Sequence, residues 1–148
     1  MKEIAGEIRT VVENVKIKLL AIDQEAANVK PSFDKWSKKE ILGHLIDSAA
    51  NNHQRFVRAV NNEADNFPTY QQNDWVRIQQ YNASSWKSLI ELWAAYNKHL
   101  SDLLERIPGS SKSSPCNIGK PEPATLEFVA KDYLRHLNHH LNKIIGQA

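Results

Sequence analysis

Apolar residues recur at three- and four-residue steps in four separate stretches of the chain, the spacing of an amphipathic α-helix. The first stretch runs from about Lys2 to Ala27 and carries Ile4, Ile8, Val11, Val12, Val15, Leu19 and Ile22. Asn28 to Asp34, with Pro31, interrupts the pattern. The second stretch has a sharp start: Ser37 and Glu40 have the spacing of a capping box, and Trp36 and Ile41 that of a hydrophobic staple. It is expected to continue to about Asn61. A third helix begins at Ser84 or Ser85, either of which suits an N-cap, and stops at Ile107-Pro108-Gly109. Thr125 is the expected N-cap of the fourth, which runs to about Ile145.

Two long connections separate these helices. Glu63 to Ala83 is polar but carries Phe67, Pro68, Tyr70, Trp75 and Tyr81, and its length suits a crossover that packs over the helices. Gly109 to Pro123, rich in Ser, Pro, Lys and Gly, reads as a mobile loop or small hairpin. No stretch of useful length alternates with the period of a strand, and no internal repeat is present. The expected fold is all-α: a four-helix bundle with a long crossover connection, one domain over residues 1–148.

Charge then narrows the function. Nineteen Lys and Arg against seventeen Asp and Glu give a net charge of +2, with no basic block. That argues against nucleic acid as a partner. No apolar run reaches the length of a membrane span, and the first residues lack the apolar core of a signal peptide. A single cysteine, Cys116, excludes an internal disulfide framework. A cytoplasmic protein without membrane contact is the expectation. Cys116 follows Pro115 in the last loop and reads as an exposed, incidental thiol.

The candidate chemistry lies in Tyr133-Leu134-Arg135-His136-Leu137-Asn138-His139-His140. Four residues along a helix is a rotation of about 40° and a rise of about 6 Å, so His136 and His140 can address one atom. On the helical wheel His140 lies within the apolar band and His136 at its edge. His139 falls among Asp132, Arg135 and Lys143, facing solvent. Spacing alone makes the pair more often two ordinary half-buried histidines than metal ligands. Three residues compete as a third ligand. His99 sits beside Leu100 and Leu103 as a core-edge histidine, and His53 falls in an apolar stripe with Phe56 and Val60. His44 falls on a polar stripe with Asp47, Ser48, Asn51 and Arg55, which by itself reads as a solvated face. By this reading His53 is the more buried, His44 the better placed for a site.

Trp36-Ser37-Lys38-Lys39-Glu40-Ile41-Leu42-Gly43-His44-Leu45-Ile46-Asp47-Ser48, followed by Asn52 and Arg55-Phe56, resembles the DinB/YfiT-like superfamily of metal-dependent enzymes. Asp74-Trp75 resembles its central region. Thr125-Leu126-Glu127, Tyr133 and the His136/His140 pair resemble its last helix. The resemblance implies a bundle of up-down-down-up connectivity and a divalent metal, zinc or nickel first, held by His44, His136 and His140. It sets aside His53 and His139. Three neutral imidazoles leave coordination positions open, as catalytic sites do. Asp47, one turn from His44, is the candidate base or outer partner of a metal-bound imidazole.

An enzyme of this type would act on a small-molecule substrate, by hydrolysis or by S-transfer with a low-molecular-weight thiol as co-substrate. No His-Glu-x-x-His motif is present, which disfavours a thermolysin-type peptidase. The alternative is a non-catalytic, metal-binding stress-response dimer. Homodimerisation is implied by the resemblance in either case.

Overall fold

The computed structural model describes residues 1–63 and 69–146. The expected positions of Phe67 and Pro68 in the crossover lie outside the described residues. Helices α1 (Lys2–Leu20), α3 (Lys38–Val60), α5 (Trp86–Arg106) and α6 (Leu126–Ile145) are long; α2 (Gln24–Asn28) and α4 (Gln72–Gln79) are short. A 3₁₀ turn over Tyr81–Ala83 joins α4 to α5, and another over Gly109–Ser113 precedes a minimal antiparallel pair, β1 (Pro115–Cys116) with β2 (Ala124–Thr125).

Local chemistry starts each long helix after the first where expected. Ser37 and Glu40 form both arms of the capping box on α3. Ser85 accepts from the Ser88 amide, and Thr125 from the Phe128 amide. The first stretch departs from its expected single helix. α1 ends at Leu20, and Asp23 caps a separate α2 by accepting from the Glu25 amide. An aspartate in extended conformation at an N-cap restarts the backbone ladder although the apolar period runs on through Ile22.

The four long helices close a ring in which α1 touches α5 and α6, and α3 touches the same two. Cross-helix bonds give the directions. The Ser101 hydroxyl donates to the Ala5 carbonyl and the Trp86 indole to the Leu19 carbonyl, so α1 and α5 are antiparallel. Lys38 Nζ reaches the Ile144 carbonyl while His44 meets His136, so α3 and α6 are antiparallel as well. His53 meets Tyr96, and Val60 shares a cavity with Ile107, so α3 and α5 run parallel. The order is up-down-down-up. Parallel neighbours cannot be joined by a short turn, which is why the α3–α5 connection must cross the length of the bundle.

Trp93, Phe56, Leu42, Leu45, Leu100, Leu126 and Leu137 are fully buried at the centre. Each such side chain contributes about 1.5–3 kcal/mol of burial. The crossover docks on α3 at Gly43, where a Cβ would stand 2.1 Å from Tyr81 Cδ2. A glycine in mid-helix costs about 1 kcal/mol of helix propensity, and here it admits the tyrosine ring. Lys39 donates to the Asn82 carbonyl and Ser37 to Asn82 Oδ1, tying the start of α3 to the same turn.

Cys116 is buried rather than exposed, at 1%. The β1–β2 pair folds the loop back so that β1 contacts α3 and α6. Burial raises its thiol pKa, which leaves it a packing residue.

Candidate metal centre

α3 and α6 bring His44, His136 and His140 together, with one potential ligand atom from each within 4.8 Å of the others. The antiparallel crossing sets the first turns of α3 against the last turns of α6, and the four-residue spacing of the α6 pair presents both rings to His44. His44 Nε2 and His136 Nε2 face each other at 3.1 Å. Ring centroids are 4.7 Å apart for His44 and His140, and 4.5 Å for His136 and His140. Trp36 covers the group from the other side, its ring 5.1 Å from that of His44.

Burial lowers the pKa of all three imidazoles: His44 to about 4, His140 to about 3, and His136 in the same direction. The neighbouring rings and Lys143 push His44 and His140 further down. All three are therefore neutral at pH 7 and carry lone pairs into a shared space. One proton can be shared between the two Nε2 atoms, yet His44 Nδ1 and His140 Nδ1 stay buried without a partner among the described residues. Buried polar atoms left this way are costly. Neutral, converging imidazoles fit a borderline divalent cation, for which this donor set is suited.

Of the competing histidines, His44 is the one that joins the α6 pair. It is fully buried, whereas His53 is only half-buried, the reverse of the wheel's ranking. The polar stripe of α3 is not a solvated face either: His44, Asp47, Ser48 and Asn51 are all buried. Trp36, α4 and the 3₁₀ turn cover it. His53 turns to α5, where its Nδ1 lies 3.2 Å from the Tyr96 hydroxyl and its ring 5.1 Å from that of His99. His99 is exposed, not at the core edge, and His139 is exposed as expected.

Asp47 stands outside the imidazole group. Its Oδ1 accepts from the Tyr81 hydroxyl and from Gln79 Nε2, both at 2.6 Å, while Oδ2 is buried without a partner among the described residues. Burial raises its pKa against the opposing effect of these two donors. It makes no hydrogen bond to any of the three imidazoles among the described residues, so its visible work is to hold α4 and the 3₁₀ turn on α3. The neighbour that reaches a ring is Ser48, whose Oγ lies 3.5 Å from His136 Nδ1. Sequence reasoning left Ser48 without a role, although its place one turn beyond His44 was a usable signal.

Two cavities reach the group. One of about 600 Å³ is bounded by Trp36, His140 and Lys143. The other, about 410 Å³, opens beside His136 and Ser48 and extends past Tyr70. Both are of the size that admits a small ligand. No helix among the described residues is long and apolar enough to cross a membrane.

A family model described as the DinB superfamily matches residues 9–144. Among solved structures, YfiT from Bacillus subtilis superposes with a TM-score of 0.81 at 20% identity, covering 97% of this chain and 85% of that one. YfiT is described as "a probable metal-dependent hydrolase with an unusual four-helix bundle topology". No curated protein sequence matches the chain significantly.

Proposed function

Since the chain belongs to the DinB superfamily, we propose that it is a metal-dependent enzyme whose His44, His136 and His140 hold one divalent ion. The reaction proposed is hydrolysis, or S-transfer from a low-molecular-weight thiol, on a small molecule. The observation that carries this reading is the convergence of three neutral imidazoles from two helices, His44 buried and His136 and His140 half-buried. The description of YfiT as a metal-dependent hydrolase is consistent with it. Zinc and nickel are the first candidates, because imidazole nitrogen suits both. When bound, such an ion with three protein ligands supplies Lewis acidity at an open position, toward water or a thiol.

The surrounding residues do the rest. Partial or full burial of the three rings keeps their lone pairs available at neutral pH, and Trp36 covers the His44 side. Ser48 orients His136 through its Nδ1, which favours Nε2 as the atom turned to the ion. Asp47 acts as a positioning residue: through Tyr81 and Gln79 it holds the crossover in place above the polar stripe of α3. A homodimer is retained as part of this reading.

The test is turnover by zinc- and nickel-loaded protein, using a panel of small thiols with an alkylating electrophile beside a panel of esters and amides. Metal-dependent turnover of one panel, abolished in His140→Ala, is the expected result. Metal bound at these residues with no turnover of either panel would favour the non-catalytic, metal-binding alternative.

A further inference from the structure

A serine hydroxyl has one hydrogen and two lone pairs, and at Ser48 three neighbours stand around them. Asn52 Nδ2 donates to the Ser48 carbonyl at 2.9 Å and reaches its Oγ at 3.4 Å. A carbonyl only accepts, so Asn52 turns its NH2 group to Ser48, and that contact occupies one lone pair of Oγ. The second neighbour is Tyr70, which shares the cavity of about 410 Å³ with Ser48 and His136. The Ser48 hydroxyl donates to the Tyr70 oxygen, and so favours the phenolate against the burial that pushes Tyr70 up to about 12. The third is His136, whose Nδ1 lies 3.5 Å from Oγ. Ser48 and Asn52 are buried, and Tyr70 is half-buried.

These contacts have one consistent arrangement. With the hydroxyl hydrogen directed at Tyr70, Oγ faces His136 with a lone pair only. The neutral His136 ring then carries its proton on Nδ1, and Nε2 is left bare. Nε2 is the atom that faces the other imidazoles, where it can accept from His44 Nε2 at 3.1 Å. A Ser48 hydrogen turned to His136 instead would give the opposite tautomer. Nδ1 would be bare, and Nε2 would hold a proton where a ligand needs a lone pair.

We infer that Tyr70 sets the tautomer of His136: by accepting the Ser48 hydrogen it holds the ring with a proton on Nδ1 and a lone pair on Nε2. Tyr70 is thus a positioning residue, acting through Ser48 from the crossover. The role needs its hydroxyl; its ring packs on Trp75, with centroids 5.0 Å apart. Only the consequence for metal affinity rests on the proposed metal centre, and the tautomer itself does not. Outer partners that fix the tautomer of a ligating imidazole raise its affinity for the ion without touching it.

The experiment pairs ring-nitrogen NMR of histidine-labelled, metal-free protein with zinc affinity from chelator competition, both near neutral pH. In the wild type the His136 ring, assigned by the signals lost in His136→Gln, is expected with its proton on Nδ1. Tyr70→Phe keeps the ring and removes the acceptor, and should move that proton toward Nε2; Ser48→Ala should release the tautomer as well. Zinc affinity should fall about 10-fold in Tyr70→Phe, as in Ser48→Ala, and the double variant should lose no more than Ser48→Ala alone. A wild-type His136 protonated on Nε2, or a tautomer unchanged in Tyr70→Phe, would overturn the inference. So would losses of affinity that multiply in the double variant, since Tyr70 would then act by a route other than Ser48. A wild type that shows the tautomer and its shift but binds no zinc would leave the Tyr70 inference standing and the metal centre refuted.

Discussion

Two histidine clusters hang from α3, and they differ in what satisfies their nitrogens. His44 meets His136 of α6 with ring centroids 5.0 Å apart; His53 meets His99 of α5 at 5.1 Å. Proximity is the same. Around His53, however, the Tyr96 hydroxyl stands 3.2 Å from Nδ1, and His99 is exposed, so solvent supplies what the protein does not. Around His44 a third imidazole joins, His44 is buried with His136 and His140 half-buried, and two buried Nδ1 atoms have no partner among the described residues. Neighbouring imidazoles do not make a metal centre. Lone pairs that converge on one space, with buried nitrogens left unpartnered beside them, are what a divalent cation would satisfy.

The largest difference between the two regions should come from the packing that seals the first. Gly43→Ala places a methyl 2.1 Å from the Tyr81 ring, which must leave. The expected cost in urea unfolding is about 3 kcal/mol, from overpacking plus a lost buried hydrogen bond. Tyr96→Phe, the corresponding lesion beside His53, should cost about 1 kcal/mol or less. Equal costs would mean that both clusters are merely surface histidines of different depth.

Asp47→Ala comes next, since it leaves the Tyr81 hydroxyl buried without its acceptor. A loss of about 2 kcal/mol is expected, and Asp47→Asn, which keeps an acceptor oxygen, should recover about half of it. A general base would behave otherwise: Asp47→Asn would fold normally and lose turnover completely. Smaller again is Ser48→Ala, expected to weaken metal binding about 10-fold in a chelator competition, the low end for an outer partner of a ligating imidazole. His99→Ala should leave that affinity unchanged.

The smallest effect is on pH dependence in the metal-free protein. His44 and His140 are held at about 4 and about 3, below their ordinary 6.5, so the unfolded chain takes protons that the folded one refuses. Stability is then full above pH 6.5 and falls as the pH drops toward 4. His140→Gln should flatten this decline more than His53→Gln, because burial at His140 is reinforced by His136, His44, Lys143 and His139, whereas at His53 only His99 adds to it. Urea midpoints between pH 7 and pH 4.5 would show it.

Much of the bundle could be read from residues alone because caps are local. Ser37, Ser85 and Thr125 start their helices through bonds to amides three residues away. Asp23 is as local a cap, yet the apolar period continuing through Ile22 concealed the break after Leu20. α4 has only Val76 buried, too little apolar content to announce a helix. The site was harder for a related reason. A helical wheel assigns a face bearing His44, Asp47, Ser48 and Asn51 to solvent, and only the docking of a crossover some thirty residues distant buries it. Periodicity therefore favoured His53, while the resemblance of the Trp36–Ser48 segment to a family singled out His44. Asp47 was noticed for its carboxylate, but its partners Gln79 and Tyr81 belong to that same crossover and could not be paired with it in advance.

The central claim is that the α6 pair and His44 form one metal centre while His53 and His99 form none. Elemental analysis of protein purified without an affinity tag, dialysed against zinc and then against buffer, tests it most directly. One equivalent of zinc in the wild type and in His53→Ala, with none in His44→Ala or His140→Ala, is the predicted result. Zinc retained by both His44→Ala and His140→Ala, or lost from His53→Ala, would contradict it.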